Sequence, residues 1–198
     1  HDSITPLSNS SQAKKIQVAE MFNRIAKRYD FMNRFLSARV DRYWRKKALK
    51  RLLKNQPQKI LDVATGTGDL AIMAYTMGKP AHITGIDISE GMLAQGREKI
   101  NTLQLSSQIS LETGDAETIN KPSDTFDAVM VAFGVRNFEN LPAGLREMKR
   151  VLKPGGQLMV LEFSTPKNPL IKWMYNFYMQ KLAPFFARLF HTDHQAYT

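Results

Sequence analysis

The clearest structural signal in this chain is the stretch Lys59-Ile-Leu-Asp-Val-Ala-Thr-Gly-Thr-Gly-Asp69. A short apolar run that carries one acid, Asp62, leads into a loop with Gly66 and Gly68, and apolar residues then recur at helical spacing from Leu70. This order predicts a buried strand, a tight turn and a helix N-terminus, which is where α/β proteins bind nucleotides. The two glycines permit backbone torsions and a close approach to a ligand that a Cβ would prevent.

Strands and helices alternate through the rest of the chain. Five strands are predicted, at 59–64, 81–87, 108–114, 126–133 and 156–163, and three helices between them, at 69–77, 89–103 and 139–152. Ser89 and Asn140 are expected to cap two of these helices, and Pro154-Gly155-Gly156 marks a turn into the fifth strand. Such alternation predicts an α/β, Rossmann-like fold, with a mostly parallel sheet that is covered by helices on both faces.

The N-terminal part of the chain has a different periodicity and contains three predicted helices, at 12–28, 32–36 and 39–54. Two stripes run along the third helix. One is apolar (Val40, Tyr43, Trp44, Ala48, Leu52 and Leu53), and the other is basic (Arg42, Arg45, Lys46, Lys50, Arg51 and Lys54). We therefore predict two regions, a basic helical extension or lid over 1–57 and a ligand-binding domain over 58–198.

Charge is concentrated in that extension. The 198 residues have a net charge of +10, and residues 1–60 carry 15 basic and 4 acidic side chains, so the rest of the chain is close to neutral. An excess of this kind indicates contact with an anionic surface, either a membrane or a nucleic acid. A solvated helix face is the alternative explanation.

Several classes of function are excluded or disfavoured by composition. The chain has no cysteine, so disulfides, thiolate catalysis and cysteine-ligated metal centres are excluded. The four histidines form no metal-ligand spacing, and we expect no metal site. The absence of a signal peptide or an unbroken apolar span predicts a cytoplasmic protein.

Three acids near the ends of successive strands identify the ligand. Asp87 follows the second strand, where a carboxylate accepts ribose hydroxyls of either NAD or S-adenosylmethionine. Asp62 would repel the pyrophosphate of NAD but suits the cationic amino-acid tail of S-adenosylmethionine. Asp115 follows the third strand, where an acceptor can meet the adenine amino group. Any one of these acids could be a structural cap, but the three together favour S-adenosylmethionine over NAD.

The sequence also resembles a family, the ubiquinone/menaquinone biosynthesis C-methyltransferases of the UbiE type, over about residues 15–190. Two stretches carry the family's signatures, Tyr29-Asp30-Phe31-Met32-Asn33-Arg34-Phe35-Leu36-Ser37 with Trp44, and Arg150-Val151-Leu152-Lys153-Pro154-Gly155-Gly156-Gln157-Leu158 with Glu162-Phe163-Ser164. Between them, Ala132-Phe133-Gly134-Val135-Arg136-Asn137 looks like the family's substrate-side loop. The resemblance implies a class I S-adenosylmethionine-dependent methyltransferase with a seven-stranded sheet. Because only five strands fit here, we expect the C-terminal strands to be missing and the open edge to favour a homodimer.

The resemblance also implies cofactor contacts. The glycine loop would contribute Thr67 beside Gly66 and Gly68, and the strand ends would contribute Asp87 and the pair Asp115-Ala116. Two positions depart from the family pattern. Ala132 replaces a serine that contacts the cofactor, and Asp41 replaces a histidine that precedes Trp44, so a possible imidazole base is absent.

The implied reaction is the methylation of a ring carbon of a polyprenyl quinol, for which we favour demethylmenaquinol over the ubiquinol precursor. We expect Arg136 to stabilise the ring oxyanion and Asn137 to orient the ring or a water, because open parallel sheets bind substrates beyond the carboxyl ends of their strands. The alternative for Arg136 is a carboxylate partner that braces the loop. Tyr29 and Phe133 are the other predicted substrate contacts, and the alternative for Tyr29 is a core aromatic.

A substrate with a polyprenyl tail lies in the bilayer, so we expect peripheral contact with the anionic inner face of the membrane and no nucleic acid. Besides a methyltransferase that acts on another small molecule, three other functions stay open. A nucleic-acid methyltransferase is disfavoured because the loop after the fourth strand lacks the Asn/Asp-Pro-Pro-aromatic turn, and an NAD oxidoreductase is disfavoured by Asp62. The third is a non-catalytic adenosyl-binding protein, which Arg136 and Asn137 disfavour.

Overall fold

The computed structural model describes the backbone of residues 14–36 and 40–162, and the side chains of residues 15–26 and 40–162. The elements follow one another in the order α1 (Lys14–Leu36), α2 (Val40–Leu52), β1 (Lys59–Val63), α3 (Asp69–Gly78), β2 (His82–Asp87), α4 (Glu90–Thr102), β3 (Ile109–Thr113), β4 (Phe126–Ala132), α5 (Leu141–Val151) and β5 (Leu152–Leu161). Two short 3₁₀ helices, Leu53–Asn55 and Val135–Asn137, complete the described part of the chain.

All five described strands are parallel and form one sheet in the order β3-β2-β1-β4-β5. The chain moves outward from β1 to β3 and then crosses back to β4 on the other side of β1. This reversal leaves a crevice beyond the carboxyl ends of β1 and β4, the usual ligand position in an open α/β sheet. The predicted α/β fold with a parallel sheet is confirmed.

Helices cover both faces of the sheet, because side chains alternate between the faces along each strand. One face packs Ile60, Ile83 and Met130 against α2, α3 and α4. The other face packs Leu61 and Val129, with further strand residues, against α5. Both clusters are almost completely buried, which explains why the strands have continuous apolar runs in the sequence.

Two predicted helices at 12–28 and 32–36 are in fact one continuous helix, α1. The prediction was wrong because the residues between the two segments include no glycine or proline that would interrupt the backbone hydrogen bonds. The predicted caps are confirmed. The Ser89 hydroxyl accepts a hydrogen bond from the Met92 N–H, and the Asn140 side chain accepts one from the Ala143 N–H.

The orientation of α2 also differs from the prediction. The predicted apolar stripe leaves Val40, Tyr43 and Trp44 exposed, whereas Asp41 is buried and Arg45 is nearly so. The helix is rotated by about one residue because Leu49 and Leu52, which enter the core of the sheet, set its packed face.

The fifth strand begins at Leu152, four residues before the predicted start. Its register shifts between the pairs Phe126–Leu152 and Ala128–Gln157, so the Pro154-Gly155-Gly156 segment is a bulge within β5 and does not precede it. Gly155 adopts a φ of 77° there. The proline is tolerated because β5 is an edge strand of the described sheet.

No helix among the described residues is both long and apolar enough to cross a bilayer. Residues 1–13, 37–39 and 163–198, which include the last residue of the predicted fifth strand, lie outside the described residues.

Candidate active site

An open cleft lies beyond the carboxyl ends of β1 to β4 and contains about 710 Å³ of space, including the part open to solvent. Helix α1 covers it and packs against α4. Six of the predicted site residues line this cleft: Gly66, Asp87, Asp115, Ala116, Phe133 and Asn137. The structure thus brings together side chains from the ends of several strands, as expected for a parallel sheet.

The glycine loop has the predicted conformation. Gly66 and Gly68 adopt φ values of 58° and 76°, which are strained for residues with a Cβ. Gly66 lines the cleft, whereas Gly68 caps α3 behind it. Thr67 is buried and is not part of the cleft wall, so its predicted cofactor contact stays a prediction.

Asp87 holds the loop in place from the end of β2. Its Oδ2 accepts a hydrogen bond from the Gly66 N–H at 2.8 Å, and its Oδ1 accepts one from the Ser89 N–H at 2.9 Å. Burial raises the pKa of this carboxyl, although these hydrogen bonds oppose the shift. Because a carboxylate offers about four acceptor sites, two remain for ribose hydroxyls.

Asp62 lies beneath the loop and does not line the cleft. It is 1% exposed, and its Oδ2 accepts a hydrogen bond from the Thr65 hydroxyl at 2.6 Å. Burial raises the pKa of Asp62 to about 7, while Thr65 and the nearby cation Arg45 lower it. Its charge therefore acts on the cleft through the loop, at a greater distance than the sequence suggested.

Asp115 has a partner that the sequence analysis missed. The Lys15 ammonium of α1 lies 2.7 Å from Asp115 Oδ2 and 2.9 Å from Glu117 Oε2. This hydrogen bond with Asp115 is the main cause of the raised pKa of Lys15. The carboxylate predicted to meet the adenine is thus joined to the helix that covers the cleft.

A second contact, at Asn23, also holds α1 in place. The Asn23 side-chain oxygen accepts hydrogen bonds from the Ser89 hydroxyl at 2.7 Å and from the Gly91 N–H at 2.9 Å. Between Lys15 and Asn23, the side chains of Val18 and Phe22 line the cleft. The i, i+3, i+7 spacing of residues 15, 18 and 22 places them on one helix face, which is the signal that could have identified them.

The backbone is strained where β1 and β4 end side by side. Ala64 and Phe133 both have positive φ values, 53° and 60°, although neither is a glycine. A Cβ on Gly134 would lie 2.6 Å from the Cβ of Ala64, so only glycine fits between these loops. Strained torsions of this kind cluster at functional sites. Phe133 and Asn137, which follow β4, line the cleft at this point.

Arg136 lies at the outer edge of this loop and does not line the cleft. Its Nη1 donates a hydrogen bond to Glu162 Oε1 at 2.6 Å, and 47% of its side chain is exposed. The carboxylate partner considered for Arg136 is therefore present. The catalytic role stays a prediction and requires Arg136 to turn inward when substrate binds.

Two further predicted positions have different outcomes. Tyr29 belongs to α1, but its side chain lies outside the described residues. Asp41 is buried, and its Oδ2 lies 3.6 Å from the Arg45 Nε. Among the described histidines and acids, no group of three or more could hold a metal ion.

Residues 10–198 match the model of the ubiE/COQ5 methyltransferase family. The chain belongs to this family. It is 45% identical over 197 residues to the demethylmenaquinone methyltransferase of Bacteroides fragilis, a match that covers 100% of this chain and 80% of that protein. It is 46% identical over 175 residues to the ubiquinone/menaquinone biosynthesis C-methyltransferase UbiE of Geobacter sulfurreducens, with coverages of 88% and 68%.

Solved structures resemble this family member in fold. The [4+2]-cyclase SpnF superimposes with a TM-score of 0.68 at 22% identity, over 79% of this chain and 62% of that one. A putative S-adenosyl-L-methionine-dependent methyltransferase from Methanococcus maripaludis superimposes with a TM-score of 0.60 at 19% identity, over 92% and 80%. At these identities the likeness concerns the fold alone, and the cyclase illustrates that this fold serves more than one reaction.

Proposed function

We propose that this methyltransferase transfers the methyl group of S-adenosylmethionine to a ring carbon of a polyprenyl quinol in menaquinone or ubiquinone biosynthesis. The favoured reaction converts demethylmenaquinol to menaquinol. One observation carries the proposal: in a chain 45% identical to a demethylmenaquinone methyltransferase, one cleft joins Asp87 and Asp115 with the loop from Phe133 to Asn137.

The residues of the cleft fit this cofactor. Gly66 presents backbone without a Cβ, Asp87 retains acceptor sites for ribose hydroxyls, and Ala116 leaves room beside Asp115 for an adenine. Asp62 adds negative charge beneath the loop, which suits a cationic ligand and opposes a pyrophosphate. We assign these residues to cofactor binding together with Thr67 and Gly68, which shape the same loop.

When bound, S-adenosylmethionine supplies an activated methyl group on a positively charged sulfur. The protein then has to align the acceptor carbon and make it nucleophilic. Phe133 and Phe138 give the cleft wall apolar surface for a ring, and we assign to the Asn137 side chain, which lines the cleft, the orientation of a ring hydroxyl or a water. Helix α1 covers part of the cleft, and the reduced access of water strengthens electrostatic interactions beneath the helix.

Transfer of a ring hydroxyl proton to water spreads negative charge onto the ring carbon ortho to the oxygen, and a cation near the oxygen favours this form. After the methyl group has bonded to that carbon, the carbon releases its hydrogen as a proton to water and the aromatic ring is restored. Arg136 is our candidate for that cation. Its present partner, Glu162, lies at the end of β5 and holds the guanidinium beside the cleft. We assign Tyr29, Phe133 and Arg136 to the substrate side and Arg136 and Asn137 to catalysis.

We also propose that an exposed surface of α2 contacts the anionic inner face of the membrane. Val40, Tyr43 and Trp44 are 52%, 60% and 44% exposed, and the Lys47 ammonium lies 4.9 Å from the centroid of the Trp44 ring. Exposed basic residues surround them (Arg42, Lys46, Lys50, Arg51 and Lys54), and the one acid of α2 is buried. Aromatic rings beside cations are typical of interfacial contacts. We call the exposed residues Val40, Tyr43 and Trp44, together with the basic residues around them, the α2 surface.

This membrane contact supports a functional role for the basic extension over 1–57, while the domain over 58–198 binds the cofactor. The division into these two regions and the predicted homodimer stay predictions.

Isothermal titration calorimetry with S-adenosylmethionine, S-adenosylhomocysteine and NAD tests the cofactor assignment. We expect binding of the first two and no binding of NAD. Binding of NAD alone would contradict the proposal and favour an oxidoreductase.

A further inference from the structure

Arg45 is the one basic residue of α2 whose side chain is largely buried. Only 12% of it is exposed, and its Nε lies 3.6 Å from Asp41 Oδ2, too far for a hydrogen bond. The buried Nε has no hydrogen-bond acceptor among the described residues. Its guanidinium carbon stands 5.3 Å from the centroid of the Phe133 ring.

Such an arrangement is unfavourable for stability alone. The free-energy cost of removing a charge from water is offset only by close pairing and saturated hydrogen bonds. Replacing a buried ion pair with well-packed apolar side chains often leaves the protein as stable or more stable. Among the residues that the structure describes, Arg45 forms one long ion pair and one cation–π contact. A buried cation with this few contacts therefore points to a role beyond packing.

Its two other neighbours are both parts of the site. Phe133 lines the cleft with a strained backbone, and Asp62 lies beneath the glycine loop. Arg45 is the cation that favours the ionised form of Asp62, and Asp87 at the end of β2 is the anion that opposes it. The sheet neighbours of Asp62 in β2 and β4 are Gly85 and Met130, which carry no charge.

We propose that Arg45 is a positioning residue of the methyl-transfer site, whose charge acts on Asp62 beneath the glycine loop and whose guanidinium holds the Phe133 ring in the cleft wall. This inference rests on the proposed function. An ionised Asp62 attracts the cationic S-adenosylmethionine more strongly than the neutral S-adenosylhomocysteine. Arg45 thereby favours binding of the methyl donor and release of the spent cofactor.

The test compares the affinities of the two ligands by calorimetry from pH 6 to pH 9. In the wild type, the preference for S-adenosylmethionine should rise with pH as Asp62, whose pKa is about 7, becomes ionised. Arg45→Met and Arg45→Gln remove the cation and should move this midpoint upward by about one pH unit. At pH 7.5 the ionised fraction of Asp62 should then fall from about three quarters to about one quarter, so the preference should fall roughly threefold. Arg45→Lys keeps the charge and should keep the midpoint.

A double-mutant cycle separates this role from a structural one. In Asp62→Asn the ligand preference should lose its pH dependence, and adding Arg45→Met should change the preference no further. Carbon-13 NMR of the Asp62 carboxyl in the ligand-free protein gives a second readout, in which the midpoint should move upward in Arg45→Met. Methionine suits the apolar surroundings, so Arg45→Met should fold even if Arg45→Gln does not.

The inference would be overturned if a folded Arg45→Met variant kept both the wild-type midpoint and the wild-type ligand preference. If the wild type bound neither ligand, the proposed function itself would fail. These two failures are therefore distinguishable in the same experiment.

Discussion

The Arg136 guanidinium donates a 2.6 Å hydrogen bond to the Glu162 carboxylate, so a side chain from the loop after β4 is held by the end of β5. The Arg136 N–H also lies 3.4 Å from the other oxygen of Glu162. This pair keeps the Arg136 guanidinium close to the cleft but outside it. It makes the role of Arg136 open to a direct test.

Replacing Arg136 with alanine should lower kcat about 100-fold, because the ring oxyanion loses its cation. The affinity for S-adenosylmethionine should stay the same, since Arg136 does not line the cofactor side of the cleft. Steady-state kinetics with a quinol substrate and calorimetry with the cofactor measure the two quantities. Arg136→Lys should recover part of the rate.

Glu162→Gln is the matched control for that experiment. This substitution weakens the ion pair between Arg136 and residue 162 but leaves the Arg136 guanidinium free to turn toward the substrate. The value of kcat should therefore fall much less than in Arg136→Ala. Full turnover by a folded Arg136→Ala variant would exclude a catalytic role and leave Arg136 as a brace of the loop.

Asp62→Asn should stabilise the fold more at pH 8 than at pH 5. Because the pKa of Asp62 is about 7 in the folded protein and 3.8 in the reference state, the unfolded chain loses this proton first as pH rises. Stability due to the neutral carboxyl is complete below about pH 4 and is lost as pH rises toward 7. The free energy of unfolding lost over the whole range amounts to about 4 kcal/mol, of which about 3 kcal/mol is lost between pH 5 and pH 8.

Urea unfolding at the two pH values measures this effect. Asp124→Asn, at an exposed turn, is the matched control for replacing a carboxylate at the surface. Equal effects of Asp62→Asn at pH 5 and pH 8 would show that Asp62 does not titrate in this range.

Asp115→Ala should weaken S-adenosylmethionine and S-adenosylhomocysteine equally, by about tenfold, because the adenine amino group that it meets is common to both. Asp62→Asn, in contrast, should weaken S-adenosylmethionine more. Calorimetry with both ligands separates the two acids.

Glu117→Gln controls for the covering helix, since it removes the other carboxylate partner of Lys15 and keeps Asp115. A loss of affinity as large as that of Asp115→Ala would indicate that the ion pair with α1, rather than an adenine contact, accounts for the effect.

The double variant Tyr43→Ala/Trp44→Ala should reduce binding to vesicles at every salt concentration, because it removes the apolar part of the α2 surface. The triple variant Lys46→Gln/Lys50→Gln/Lys54→Gln should reduce binding only to anionic vesicles at low salt, by roughly 1 kcal/mol per charge. Vesicle co-sedimentation measures both. Wild-type binding that depended on neither anionic lipid nor salt would contradict this surface.

Much of the fold follows from local sequence signals. Alternating strands and helices, the two glycines of the loop and the caps Ser89 and Asn140 act over a few residues, so the sequence predicts them well. The acids Asp87 and Asp115 were predictable as one site because parallel strands bring their carboxyl ends to the same edge.

The remaining parts depend on packing between distant segments. Lys15 meets Asp115 across 100 residues of sequence, and no local pattern indicates that α1 lies over the cleft. Arg45 was predicted on the basic stripe of α2 because its spacing fits that stripe. The packing of Leu49 and Leu52 in the core sets the rotation of the helix, and this rotation buries the Arg45 side chain. A helical period identifies two faces but does not say which residues at their boundary are buried.

The central claim is methyl transfer to a quinol ring. The most direct measurement incubates the protein with methyl-labelled S-adenosylmethionine and either demethylmenaquinol or the ubiquinol precursor, and locates the label by mass spectrometry. We predict one label on a ring carbon, with faster transfer to demethylmenaquinol. Binding of the cofactor without transfer to either quinol, or a label on oxygen instead of carbon, would contradict the account.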